Sequence, residues 1–166
     1  MKKLRLLLTS LCNRDCEGCC NKDWDLMKLP IWDPDVEYDI VMITGGEPML
    51  FPRNVSRIAN YVKTKTPKTK VYLYTALPNR HLPLLIAEVL DGVTITLHEQ
   101  ADVLKFNQAN AMLLLYPKSH EGKSLRLNVF KGVDLKGLDT SLWTVKHNME
   151  WIEDCPLPDN EEFMQL

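Results

Sequence analysis

Ile40-Val41-Met42-Ile43-Thr44 runs into Gly45-Gly46, and beyond it Val55, Ile58, Ala59 and Val62 recur at i, i+3, i+4 and i+7. The first stretch reads as a strand. The second reads as a helix entered after Pro52 and Asn54, both of which suit a helix start. The same alternation extends outward in both directions. Further strands are expected at Leu4–Thr9, Val71–Thr75, Val93–Leu97, Met112–Tyr116 and Leu125–Phe130. A second helical stripe, Leu82, Leu85, Ile86, Val89 and Leu90, is closed by Gly92, and a weaker one covers Glu99 to Gln108. Short strands that are apolar on both faces are what a parallel sheet requires, and strands alternating with helices define the α/β class. The gap from Tyr116 to Leu125 is too short for a crossover helix, which permits an antiparallel hairpin as the last strand pair.

In the tail, Trp143, Val145, His147, Met149 and Trp151 alternate as in a strand, while Trp143, His147 and Trp151 also share a helix face; the strand is the favoured reading. From Glu150 onward there are acids and no Lys or Arg, an acidic terminus that reads as solvated. Lys63, Lys65, Lys68 and Lys70, interleaved with Thr and Pro, read as an exposed turn.

A length of 166 residues fits one domain, 1–166, with a hydrophobic core of ordinary size. Twenty Lys and Arg against 22 Asp and Glu give a net charge of -2, which is no basic footprint for nucleic acid. The longest apolar runs are strand-sized and too short to span a bilayer. Met1-Lys2-Lys3 opens like a signal peptide, but Arg5 interrupts the apolar run and no small-residue cleavage site follows. A cytoplasmic protein with neither membrane nor nucleic-acid partner is the expectation.

Four of the five cysteines lie between Cys12 and Cys20, and the fifth is Cys155. An odd number packed this tightly is a poor disulfide framework, so the cluster points to metal. Cys12, Cys16 and Cys19 have the spacing C-x3-C-x2-C directly after the first strand. Such a loop can present three thiolates to three irons of one cluster, and three ligands leave one iron with an open position. Structural zinc more usually draws two cysteine pairs from separate segments. Cys20 adjoins Cys19 and cannot easily reach another iron; Cys155 is either a remote fourth ligand or a small buried thiol.

This loop, followed on the next strand by Thr44-Gly45-Gly46-Glu47-Pro48, resembles the radical S-adenosylmethionine superfamily. Gly-Gly alone is an ordinary strand-to-helix turn; the cysteine triplet beside it makes the pair specific. The resemblance implies a shortened partial (β/α)6 barrel and a [4Fe–4S] cluster on Cys12, Cys16 and Cys19. It also implies S-adenosylmethionine as second cofactor, with Gly45, Gly46 and Glu47 near its methionyl amino group and Pro48 stiffening the turn. The reaction implied is reductive cleavage to a 5′-deoxyadenosyl radical that abstracts a hydrogen atom, fed by a flavodoxin- or ferredoxin-like electron donor. Strand order then nominates Thr75, His98 and Asn128 as cofactor or substrate contacts. Asn79 and Glu99 are neighbours of the same kind, although Thr75 and Asn79 also suit a strand end and a helix cap.

Cys16-Glu17-Gly18-Cys19-Cys20-Asn21-Lys22 further resembles the Cys-x-Gly-Cys-Tyr-Asn-Lys stretch of the activating proteins of anaerobic ribonucleotide reductase. Cys20 departs from that pattern by replacing the aromatic residue. A glycyl-radical enzyme is then the expected partner. The alternatives are a small-molecule enzyme similar to carboxydeazaguanine synthase, whose Asp-Thr pair after the last cysteine is Cys20-Asn21 here, and a non-catalytic iron–sulfur or zinc module. Trp143, Trp151 and Phe163 are either barrel packing or a lid.

Overall fold

The computed structural model describes residues 1–166. The strands are β1 (Lys3–Leu7), β2 (Ile40–Thr44), β3 (Lys70–Thr75), β4 (Gly92–Leu97), β5 (Ser124–Phe130), β6 (Thr144–Met149) and β7 (Glu161–Gln165). The helices are α1 (Pro52–Lys65), α2 (Leu82–Glu88) and α3 (Asp102–Leu115). All seven strands form one sheet in the order β6-β5-β4-β3-β2-β1-β7, and every pair is parallel. The protein is therefore α/β with an all-parallel sheet. No helix is long and apolar enough to cross a membrane.

From β1 to β6 each strand lies beside its predecessor. Crossovers of one hand between such neighbours all return on the same face. The core shows the result: Leu4, Leu6, Ile43, Leu73, Ile95 and Leu127 share one cluster with Val55 of α1, Ile86 of α2 and Phe106 of α3. The register carries those strand residues across one face, Leu6 against Ile43, Ile43 against Leu73 and Ile95 against Leu127. Residues of the other parity, Arg5, Met42, Tyr72, Thr94, Arg126 and Asn128, point to the opposite face, against which no helix packs. A doubly wound sheet would have helices on both faces; this arrangement is compatible with an opened barrel.

Three sequence expectations are overturned. Met112–Tyr116 is not a strand: residues 112–115 are the last turn of α3, and Leu115 is 70% exposed. Phe106, Ala109, Asn110 and Leu113 form the buried stripe, but the unbroken Met112-Leu113-Leu114-Leu115 run hides the helical period. With that helix as its crossover, β5 pairs parallel to β4, and no antiparallel pair ends the sheet. Likewise, the acidic terminus is not simply solvated. Glu161 starts a strand on the free edge of β1, is 9% exposed, and meets Arg5 at 2.6 Å. The expected strand around Val145 is β6.

The aromatic residues of the tail divide by role. Trp143 packs edge-on to Phe106, with its indole N–H donating to Asn110 Oδ1 at 2.8 Å. Phe163 packs on Trp24, with ring centroids 5.4 Å apart. Trp151 lies elsewhere, at the cysteine loop. The four lysines do not form one exposed turn: Lys63 and Lys65 end α1, Lys70 starts β3, and only Lys68 lies in the turn between them. Lys63 and Lys70 both pair with Asp91, and Lys65 pairs with Asp35.

Candidate functional site

In a parallel sheet the loops at the carboxyl ends of the strands converge, and here the ends of β1, β2, β3 and β4 carry the cysteine loop, Gly45-Gly46-Glu47, Thr75 and His98. The first two are laced together by their backbones. Leu8 N–H donates to Thr44 O at 2.8 Å, Gly46 N–H to Thr9 O at 2.7 Å, and Glu47 N–H to Leu11 O at 2.8 Å. A Cβ on Gly45 would stand 2.6 Å from Thr9 O, and one on Gly46 would strike the carbonyls of Ser10 and Leu11. The glycine pair thus admits the chain's own cysteine loop. Asn21, in a short turn over Cys20–Lys22, donates to Gly45 O at 2.8 Å and fastens the far end of the loop.

Glu47 is 2% exposed. Its carboxylate accepts from Met49 N–H at 2.9 Å, Thr75 Oγ1 at 2.5 Å and Ala76 N–H at 2.8 Å. Burial pushes its pKa up, against the pull of these donors. A carboxylate has about four acceptor sites, so one remains for an outside donor. Thr75 is committed to Glu47 and to Leu77 N–H, which makes it a positioning residue. Asn79 accepts from His81 N–H at 2.9 Å in the turn ahead of α2 and donates to Met49 O at 2.9 Å; it is not the helix cap that its position suggested, since His81 holds the N-cap position of α2. Pro48 starts the turn Pro48–Leu50 and is buried. Asn128 lies on the uncovered sheet face between Thr96 and Lys146.

Arg14 was not singled out by the sequence, yet it holds the loop. Its guanidinium pairs with both carboxylate oxygens of Asp102 in the first turn of α3, lies 3.8 Å from Glu99, and reaches Ala76 O at 3.4 Å. Burial pushes the Asp102 carboxyl up, but Arg14 and the amides of His98 and Glu99 outweigh it, so the net shift is downward. Nothing in the local pattern of Asp102, at a helix start far along the chain, announces this partnership.

His98, Phe130 and Trp151 form a cluster of three rings in mutual contact. The His98 centroid is 4.7 Å from Phe130 and 5.0 Å from Trp151, Phe130 and Trp151 are 4.6 Å apart, and the imidazole is 12° from parallel to the indole. Its Nδ1 is buried and has no partner within the protein. Burial, helped by the charge of Arg14, lowers its pKa from the ordinary value, which keeps the ring neutral near pH 7. Because the unfolded chain then binds the proton more readily, stability falls as pH drops below about 6.5. Acid titration of chemical denaturation is expected to show this slope in the wild type and a shallower one in His98→Phe.

Trp151 also covers Gly18, where an added Cβ would come within 2.7 Å of its indole Cδ2. Arg14, Asp15, Cys16, His98, Glu99 and Trp151 surround an open depression of about 350 Å³. A larger cavity of about 600 Å³ lies at the other end of the sheet, around Glu37–Asp39 and Lys65–Thr69, where strands begin rather than end.

Cys12, Cys16 and Cys19 are free thiols, exposed or half-buried, whereas Cys20 and Cys155 are joined in a disulfide. The bond corrects the expectation that no disulfide framework exists, and leaves three free cysteines on one loop. No three His, Cys, Asp or Glu side chains gather around a point that would hold a single metal ion. A four-iron cluster makes a different demand, since each thiolate binds its own iron. Burial and the neighbouring Cys19 raise the Cys16 thiol, with Arg14 opposing. Three free thiols on one loop, with the other two joined to each other, fit the donor set of a three-cysteine cluster. Comparison with protein-family models gives no match, and neither does comparison with curated proteins.

Proposed function

We propose that this chain is a radical S-adenosylmethionine enzyme with a [4Fe–4S] cluster on Cys12, Cys16 and Cys19. The observation that carries the reading is the lacing of a C-x3-C-x2-C loop to a Gly-Gly-Glu turn on the adjacent strand, through Gly46 N–H to Thr9 O and Glu47 N–H to Leu11 O. The sheet order supports it, because neighbouring parallel strands with helices on one face suit a shortened partial barrel of the (β/α)6 type. The bound cofactors would supply reductive cleavage of S-adenosylmethionine and a 5′-deoxyadenosyl radical that abstracts hydrogen from a substrate.

The chain's own residues supply position and environment. Gly45, Gly46 and Pro48 shape the turn beside the cysteines, and Glu47 keeps one acceptor site for an ammonium group. Arg14 ties the loop to α3. His98 presents a neutral ring with an unengaged Nδ1, and Trp151 shields one side from water. Asn128 stands on the uncovered sheet face, where the substrate would approach.

An activase acting on a glycyl-radical enzyme suits the open, shallow depression beside Cys16, which admits a polypeptide loop. A flavodoxin- or ferredoxin-like donor in the cytoplasm would supply the electron. One observation favours a second reading: the tail reaches the site through Trp151, as a small-molecule enzyme similar to carboxydeazaguanine synthase would need to cover its substrate. Anaerobic incubation of the iron-loaded protein with dithionite and S-adenosylmethionine is expected to release 5′-deoxyadenosine and methionine. An absence of both would overturn the proposal. A paramagnetic doublet on an added glycyl-radical partner separates the activase from the small-molecule enzyme.

A further inference from the structure

The segment between β6 and β7 is held by few contacts, to the cysteine loop and, through Trp151, to the rings of His98 and Phe130. No backbone hydrogen bond ties residues 150–157 to the rest of the chain. Their anchors are the Trp151 ring against Gly18, His98 and Phe130 of β5, a 3.6 Å ion pair between Glu150 and Lys131, Leu157 against a small apolar cluster, and the Cys20–Cys155 bond. Asp154 and Cys155 have φ of 58° and 29°, consecutive non-glycine residues in the left-handed region. Such a turn persists only where its surroundings impose it, and the bond to Cys20 supplies that constraint. The Cα atoms of the pair are 5.4 Å apart, within the ordinary span of a disulfide. The bond closes a loop with a sequence separation of 135, so breaking it frees a long stretch of chain.

We propose that Cys20 and Cys155 form a reversible thiol–disulfide clasp that fastens residues 150–157 beside the Cys16 depression when oxidised and releases them when reduced. In a reducing compartment a protein disulfide is characteristically transient or regulatory. Oxidation would proceed by exchange with a low-molecular-weight disulfide. One cysteine thiolate attacks it and expels a small thiolate, and the second cysteine then displaces the other. One S–S bond breaks and one forms, and the protein pair loses two electrons while the small disulfide gains two. The two protons pass to the released thiols. Reduction reverses each step. Trp151 would swing away with the segment, and the depression would lose one wall. The thiol chemistry stands independently of the proposed function, and only what the opened depression admits rests on that reading.

The test uses anaerobically iron-loaded full-length protein held in oxidised or reduced glutathione, followed by alkylation of free thiols, peptide mapping and timed chymotrypsin digestion. Expected in the oxidised buffer is a cross-linked Cys20–Cys155 peptide, with cleavage after Trp151 slower by about tenfold or more than in the reduced buffer. In Cys20→Ser and Cys155→Ser proteins, cleavage should be fast in both buffers. A protein lacking the loop thiols, Cys12→Ser with Cys16→Ser and Cys19→Ser, should still form the clasp. Full alkylation of both cysteines in the oxidised buffer, or cleavage indifferent to the buffer, would overturn the inference. A clasp that responds in protein taking up no iron–sulfur cluster would count against the proposed function alone. A loaded cluster beside an unresponsive pair would count against the clasp alone.

Discussion

Anaerobic loading of Cys12→Ala, Cys16→Ala or Cys19→Ala protein is expected to leave it without stable iron and sulfide, whereas Cys20→Ser and Cys155→Ser proteins should each take up about four irons. The asymmetry follows from the bonding. Three cysteines are free on one loop, and the other two engage each other. Removing one of three ligands leaves two irons of a cluster unprotected. Removing Cys20 or Cys155 frees a thiol without touching the ligand set. Iron and acid-labile sulfide analysis, with the spectrum of the reduced protein, reads the result directly. Equal loading across all five variants would show that the cysteine loop is not the iron site. Stoichiometric zinc in the wild type would show that it is a different kind of centre.

Arg14→Ala is expected to lower folding stability by about 3–5 kcal/mol, the range for breaking a buried ion pair from one side. The Asp102 side chain is 2% exposed and that of Arg14 15%, so the carboxylate left behind would have little access to water. It would retain only the His98 and Glu99 amides. Asp102→Asn should cost less, since an amide needs no counter-charge and can still accept from those amides. Arg14→Lys should not restore the wild type, because one ammonium cannot span two carboxylate oxygens and a carbonyl. The pH dependence adds a check on sign. The folded Asp102 pKa is depressed, so its contribution is present above the unfolded value of about 3.9 and is lost as pH falls through the folded value. Urea titrations at several acidic pH values should therefore show a steeper loss in the wild type than in Asp102→Asn. Slower cluster loading by Arg14→Ala at neutral pH would tie the same contact to the shape of the loop.

What the sequence disclosed depended on how local each signal was. β2, α1 and the Gly-Gly turn could be read from consecutive residues, because pleat, helical period and turn chemistry are written within a few positions. α3 was half read: its polar first half kept the period visible, while four apolar residues in a row erased it in the second half. β7 was missed because Glu161 and Glu162 look like solvated acids until Arg5, Tyr38 and Lys2 are placed against them. The same holds at the site. Cys12, Cys16, Cys19 and Glu47 announced themselves by spacing. Arg14, Asp102, Gly18 and Trp151 matter through pairings across dozens of residues, and nothing in one sequence records such pairings. The Cys20–Cys155 bond belongs to that second group.

The placement of β7 bears on the order in which the molecule can be assembled. β1, which carries the cysteine loop at its end, has β2 on one side and β7 on the other, and residues 161–165 are made after every other strand of the sheet. A ribosome therefore releases the cysteines long before their supporting strand has both its neighbours. Parallel pairing between segments so distant in sequence is slow to form, and Arg5 has no Glu161 to meet until it does. Iron delivered during synthesis would find a loop attached to a strand with one open edge. Iron delivered after β7 has paired would find that edge closed.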